Sequence, residues 1–215
     1  MKTNKSLDIS YLPPGVEAFL FDLDGVLLDT EGKYQEFWER IAVQYGLNPE
    51  VFPNAIKGQT TDNIVNEYFA PEVRGSIKER YQQYHLDMQY EFFDGALDVL
   101  NQCKSKGLKT AIVTSSDNDK MSVVYLQYPY LKAMVDLVLT AEDFNSPKPS
   151  PECWQIAAER LNVDIADCII FEDSINGLKS AQASGGYVIG LTTTHPVDIV
   201  KLYCNQVITE ISEIL

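Results

Sequence analysis

No stretch of the chain approaches the roughly 20 apolar residues that span a bilayer, and Met1 to Pro14 holds two lysines but no continuous apolar core of a secretory leader. A cytoplasmic location without a membrane partner is the expectation. Positive charge is scarce as well: 17 Lys and Arg stand against 31 Asp and Glu, a formal net charge of −14. Counterion release gives such a chain little grip on nucleic acid, so no nucleic-acid partner is expected. Cysteine is sparse, and Cys103, Cys153, Cys168 and Cys204 show no C-x-x-C spacing, which excludes a zinc knuckle or a dense disulfide framework. They read as buried free thiols in a reducing compartment. Histidine occurs only as His85 and His195, and neither has the Ser or Cys partner of a catalytic triad.

What is present is an ordinary globular composition, 45% hydrophobic over 215 residues, enough for one large domain or a domain with a sizeable insertion. Val16 to Phe21 reads as a buried strand that stops at acidic residues. Lys109–Thr114, Val135–Thr140, Cys168–Phe171, Tyr187–Leu191 and Gln206–Ile208 repeat that pattern. Helical spacing lies between them: Ala96, Leu97, Leu100 and Cys103 before Gly107; Trp154, Ala157, Ala158 and Leu161; Ile175, Leu178 and Ala181 before Gly185-Gly186. Alternating strands and helices predict an α/β fold with a doubly wound parallel sheet, Rossmann-like, with functional residues at the strands' carboxyl ends. From about Lys33 to Phe93 the alternation stops, helical spacing takes over, and 12 of the 23 aromatics gather there. That segment predicts an inserted α-helical domain, residues 32–93, within a core built from residues 1–31 and 94–215.

The strongest local signal is Asp22-Leu23-Asp24-Gly25 at the end of the first strand. Extended residues two apart face the same side, so both carboxylates can converge on one site, as ligands for a hard cation or as a nucleophile. Aspartates also stop strands and open turns, and the pair alone does not separate the two roles. Glu172-Asp173 is a second acidic pair after a later strand, where Asp173 could equally be a helix cap. Two such pairs at the ends of strands of one sheet repel unless a cation offsets them. Thr114-Ser115-Ser116 offers hydroxyls and amides to an anion, and Lys148, held between prolines in Ser146-Pro147-Lys148-Pro149-Ser150-Pro151, presents an ammonium from a stiff loop.

Together these pieces resemble the haloacid dehalogenase superfamily in its phosphatase and phosphomutase branch, from Phe19 to at least Leu191. Asp22-Leu23-Asp24-Gly25-Val26-Leu27-Leu28-Asp29-Thr30-Glu31 resembles its first motif, Thr114 its second, Lys148 its third and Glu172-Asp173-Ser174 its fourth. The resemblance implies that the helical insertion is the family's small cap. It also implies Asp22 as nucleophile forming an aspartyl-phosphate, and Asp24 as acid and base. Mg2+ would be bound by Asp22, the Asp24 carbonyl, Glu172 and Asp173, and phosphate by Thr114, Ser115 and Lys148. The second aspartate argues against the halide-displacing branch. Within the remainder, mutases carry a histidine where Tyr34 stands and an arginine where Lys57-Gly58-Gln59-Thr60-Thr61 places Thr61. A phosphatase acting as a monomer on a small phosphorylated metabolite, such as a sugar phosphate, is therefore the expectation, with a β-phosphoglucomutase-type mutase as the alternative and a non-catalytic phosphate or partner binder as the third reading. Tyr34 and Gln59 are the candidates to face substrate, and Lys78 or Arg80 the candidates to replace the missing arginine.

Overall fold

The computed structural model describes residues 8–9 and 14–215, so most of the polar tail before Pro14 lies outside the described residues. In chain order the elements are β1 (Ala18–Phe21), α1 (Glu31–Gln44), α2 (Phe52–Ile56), α3 (Thr61–Tyr68), α4 (Pro71–Asp87), α5 (Ala96–Ser105) and β2 (Lys109–Val113). There follow α6 (Asn118–Gln127), α7 (Leu131–Met134), β3 (Leu137–Leu139), α8 (Glu152–Leu161), β4 (Cys168–Glu172), α9 (Ile175–Ser184), β5 (Tyr187–Leu191), α10 (Val197–Val200) and β6 (Gln206–Ile208).

The six strands form one sheet in the order β3-β2-β1-β4-β5-β6, every pairing parallel. The chain runs outward from β1 to β3, then crosses back to β4 on the other side of β1. That reversal opens a crevice at the carboxyl ends of β1 and β4, where doubly wound sheets bind ligands. β1 shows why both faces must be covered, because alternation sends Phe19 and Phe21 to one side and Ala18 and Leu20 to the other. On the first side Phe171 of β4 stacks on Phe21 with ring centres 4.8 Å apart. α5 and α6 cover that side, and α8 and α9 cover the other around the buried Trp154. All four cysteines are free thiols, Cys204 half-buried and the others buried. No helix among the described residues is long and apolar enough to cross a membrane.

Helices α1 to α4 pack around a core of their own, built on Phe37, Trp38, Ile41, Phe52, Ile64, Phe69 and Ile77. Two adjacent connections tie this layer to the sheet: Asp29 N–H donates to Glu91 O and Phe93 N–H to Leu27 O, both at 2.9 Å. The ends of the elements follow local chemistry. Thr60, Asp117 and Ser174 cap α3, α6 and α9 through side-chain oxygens, and Gly185 closes α9 in the left-handed conformation.

α4 turns His85 inward, where Nδ1 lies 3.0 Å from Tyr90 Oη and the ring 4.2 Å from that of Tyr81. Burial, then the Lys120 ammonium, push its pKa down to about 3 against a weaker pull from Asp24. Between pH 6.5 and about 3 the unfolded chain therefore binds a proton at this imidazole that the folded chain refuses. Stability falls as pH drops through that window, by up to about 1.4 kcal/mol per pH unit from this group. His85→Gln should flatten the decline of the urea midpoint between pH 6.5 and 3 relative to the unmodified chain. An unchanged slope would show that the imidazole is not held neutral by the fold.

Candidate functional site

The strand ends bring together the residues that the sequence singles out. Asp22 follows β1, Thr114 follows β2, Glu172 closes β4 and Asp173 comes next, while Lys148 enters from the loop before α8. Lys148 is 1% exposed and its Nζ donates to Asp22 Oδ1 and to Glu172 Oε2, each at 2.6 Å. The same ammonium lies 4.6 Å from the centre of the Trp154 ring, so the indole forms the apolar floor under a buried cation. Its own burial works against the charge, but Asp22 and Glu172 outweigh it and hold Lys148 above the ordinary lysine range.

Glu172 is fully buried and curls back over its own chain. Its Oε1 accepts from the amides of Asp173 and Ser174 at 2.9 Å and from Ser174 Oγ at 3.0 Å. This posture requires a glycine three residues into α9, because a Cβ on Gly177 would stand 2.0 Å from the Glu172 carboxyl carbon. Gly25 does the same for Asp173: at φ +78° a Cβ would meet Asp173 Oδ2 at 2.0 Å. From the loop after β5, Thr194 Oγ1 donates to that oxygen and Thr193 Oγ1 to Gly25 O.

One ligand oxygen from each of Asp22, Glu172 and Asp173 can be chosen so that all lie within 4.8 Å of one another. Lys148 bonds two of these three buried carboxylates, Asp22 and Glu172. Burial and then Glu172 push Asp22 up to about 8 in spite of Lys148. An all-oxygen set this closely spaced fits a hard divalent cation.

Asp24 belongs to a different set of contacts. Its carboxylate accepts from Thr30 Oγ1 at 2.5 Å, from Ser116 Oγ at 2.9 Å and from the Lys120 ammonium. Burial raises its pKa, but Lys120, Thr30 and Ser116 together bring it below the usual value. The Asp24 side chain is thus outside the three-carboxylate group, and only its backbone carbonyl could join a metal there.

Beside these residues lies a cleft walled on the sheet side by Asp22, Asp24, Thr114, Ser115, Ser116 and Asp173. Its other wall comes from the helical layer: Tyr34, Trp38, Ile56, Gln59, Thr61, Ile64, Tyr81 and His85. The layer is docked over the opening. Gly58 O accepts from Ser115 Oγ at 3.1 Å and Lys57 O from Asn176 Nδ2 at 2.9 Å, and a Cβ on Gly58 would meet Ser174 Oγ at 2.4 Å.

The sequence expectations for Tyr34 and Gln59 place them in this wall, whereas Lys78 and Arg80 are elsewhere. Lys78 pairs with Asp62, and exposed Arg80 donates to Gln44 Oε1 at 2.7 Å, so neither charge lines the cleft. The physical reason is place in the helical layer: Lys78 shares the His85 face of α4 but stands two turns nearer its amino end, against Asp62 of α3, and Arg80 reaches Gln44 of α1. Sequence reasoning missed Lys120, Thr30 and Gly177. Of these, only Thr30 lies within a motif the sequence singled out, and nothing local distinguishes Lys120 from a solvated lysine.

Residues 19–191 match the family described as haloacid dehalogenase-like hydrolase. A validoxylamine A 7'-phosphate phosphatase of Streptomyces hygroscopicus subsp. limoneus is 29% identical, with 83% of this chain and 87% of that protein covered. A probable pseudouridine-5'-phosphatase of Saccharomyces cerevisiae is 31% identical over 82% of this chain and 83% of its own length. A suppressor-of-quenching protein of Arabidopsis thaliana is 29% identical over 86% of this chain, which spans only 19% of that longer protein. Among solved structures, a HAD hydrolase of Entamoeba histolytica superposes with a TM-score of 0.77 at 26% identity, covering 93% of this chain and 95% of its own. With its four motif segments gathered at one sheet edge and a family match over most of its length, the chain belongs to the haloacid dehalogenase-like hydrolases.

Proposed function

We propose that the protein is a Mg2+-dependent phosphatase of small monophosphate esters, with sugar phosphates as the substrate class. The observation that carries this reading is the trio of Asp22, Glu172 and Asp173, two of them bound by Lys148, beside the cleft between the sheet edge and the helical layer. Mg2+ suits the trio and the Asp24 carbonyl, and when bound it neutralises nucleophile and phosphate so that like charges can approach.

The chain's own groups then divide the work. Lys148 fixes Asp22 through Oδ1, which leaves Oδ2 to form a bond to phosphorus as the bond to the leaving oxygen breaks. Once it carries a proton, Asp24 gives it to that oxygen as it departs, and as the carboxylate, the form that Lys120, Thr30 and Ser116 favour, it later takes a proton from the water that cleaves the aspartyl-phosphate on Asp22. Thr114, the Ser115 amide and Lys148 hold the equatorial oxygens as charge spreads over them. Residues 32–93 act as a cap over a core of residues 1–31 and 94–215, and their docking through Gly58 shuts water out during the first step.

The cleft wall supports a leaving group without a second phosphate. Among its described residues, Lys57 is the one Lys or Arg side chain, while Tyr34, Trp38, Tyr81 and the neutral His85 offer ring faces. The Tyr34 and Tyr81 hydroxyls, held far above their usual pKa chiefly by burial, stay protonated donors beside Gln59 and Thr61. Ring faces with hydrogen-bonding tips suit a sugar or polyol. A mutase must hold a second phosphate against the same wall, where no arginine stands.

A panel of hexose, pentose and polyol phosphates, with β-glucose 1-phosphate and a bisphosphate primer included, should release free phosphate in Mg2+. Chelation should stop it, and Asp22→Asn should lower it by at least about 1,000-fold. Glucose 6-phosphate forming without comparable phosphate release would make the protein a mutase. Gly177→Ala tests the trio separately: alanine favours a helix interior by roughly 1 kcal/mol, yet its methyl would push Glu172 out of place. The variant is expected to need about tenfold more Mg2+ for half-maximal activity while keeping its helix content by circular dichroism. An unchanged Mg2+ requirement would remove Glu172 from the metal site.

A further inference from the structure

Lys120 is 1% exposed, yet it does not line the cleft and no motif includes it. It is the third residue of α6, whose cap Asp117 accepts from the Lys120 amide at 2.9 Å. The amino end of a helix is where a cation is least favoured, since the helix dipole repels it there. A buried ammonium also loses its hydration and its side-chain freedom. Local rules therefore argue against lysine at this position twice over, and such conflicts gather at functional sites.

What offsets them is a complete set of contacts for the ammonium. It bridges both oxygens of Asp24 and donates to Ser116 Oγ at 2.9 Å. The Tyr34 and Tyr90 rings stand over it at 4.7 and 5.7 Å, one from α1 of the helical layer and one from the connection back to the sheet. Thr30 and Ser116 also reach Asp24, but a hydroxyl can rotate and serve one oxygen at a time. An ammonium centred on both oxygens fixes the rotation of the whole carboxylate.

We propose that Lys120 is a positioning residue that holds the Asp24 carboxylate at the angle from which it serves the leaving oxygen, and that Tyr34 and Tyr90 keep water from competing for the ammonium. This rests on the reading of Asp24 as the group that protonates the leaving oxygen. Lys120 touches no reacting atom, so its whole effect should run through Asp24.

The test is a double-mutant cycle on Lys120→Met and Asp24→Asn, read as kcat/KM, which covers the steps up to departure of the leaving group. Each enzyme is assayed with p-nitrophenyl phosphate, whose leaving group departs without a proton, and with whichever sugar or polyol phosphate the panel turns over fastest. Lys120→Met should lose about 100-fold on the alkyl ester and less than about tenfold on the aryl ester, with KM nearly unchanged. Asp24→Asn should show the same selectivity, and adding Lys120→Met to it should cost little more. Should the methionine variant fail to fold, Lys120→Arg completes the cycle: its charge is kept but off centre, and a smaller loss of the same selectivity is expected. Equal losses on both esters, a loss carried by KM, or full additivity with Asp24→Asn would overturn the proposal. A native enzyme inactive on both esters would instead overturn the phosphatase reading itself, and a selective Asp24→Asn beside an unselective Lys120→Met would leave that reading standing without this one.

Discussion

Lys148 stands between two buried carboxylates, and much of the architecture serves to keep it there. Its ammonium is 2.6 Å from both Asp22 and Glu172, with Trp154 beneath it and no solvent to share the charge. Removing a charge from water is costly unless geometry and further hydrogen bonds compensate for it. The parallel register of β1 with β4 supplies that geometry, because it aligns Phe21 with Phe171 and so sets Asp22 beside Glu172. Ser174 and the start of α9 then occupy the second Glu172 oxygen, which is possible only with no side chain at Gly177.

The two aspartates of the first motif stand two residues apart but live in different electrostatic surroundings. Asp22 is pushed up by burial and by Glu172, while Asp24 is brought below the usual value by Lys120 and two hydroxyls despite its burial. The environment of Asp24 favours its carboxylate, the form that accepts a proton. The helical layer completes the division, since Tyr34 faces the cleft and also covers the ammonium bound to Asp24.

Much of this was legible in the sequence for a simple reason: Asp22, Thr114 and Glu172-Asp173 each follow an apolar run, and a parallel sheet collects the ends of such runs at one edge. The strand boundaries shifted only slightly, with β1 starting at Ala18 rather than Val16 and β3 shortened to Leu137–Leu139. Lys148 was visible because prolines flank it. α6 was not singled out, since its apolar residues show little of the helical spacing that marked the other helices, and with it Lys120 stayed hidden among exposed polar residues at the helix start. Lys78 and Arg80 misled because charge is visible in a sequence but the partner it meets in the folded helical layer is not: Asp62 holds Lys78 and Gln44 holds Arg80. Gly177 and Gly25 matter through the atoms they lack, which becomes apparent only once Glu172 and Asp173 are placed against them.

The central claim is that Asp22 is the atom source for a covalent step, with the surrounding charges arranged for that purpose. It is tested most directly by quenching the enzyme in acid during turnover of a phosphate ester, digesting it and locating phosphate by peptide mass spectrometry. Phosphate is expected on the peptide that holds Asp22, at that residue and absent from an unreacted control. Phosphate on another side chain, or a quenched enzyme free of phosphate while turnover proceeds at a rate set by its release, would contradict it.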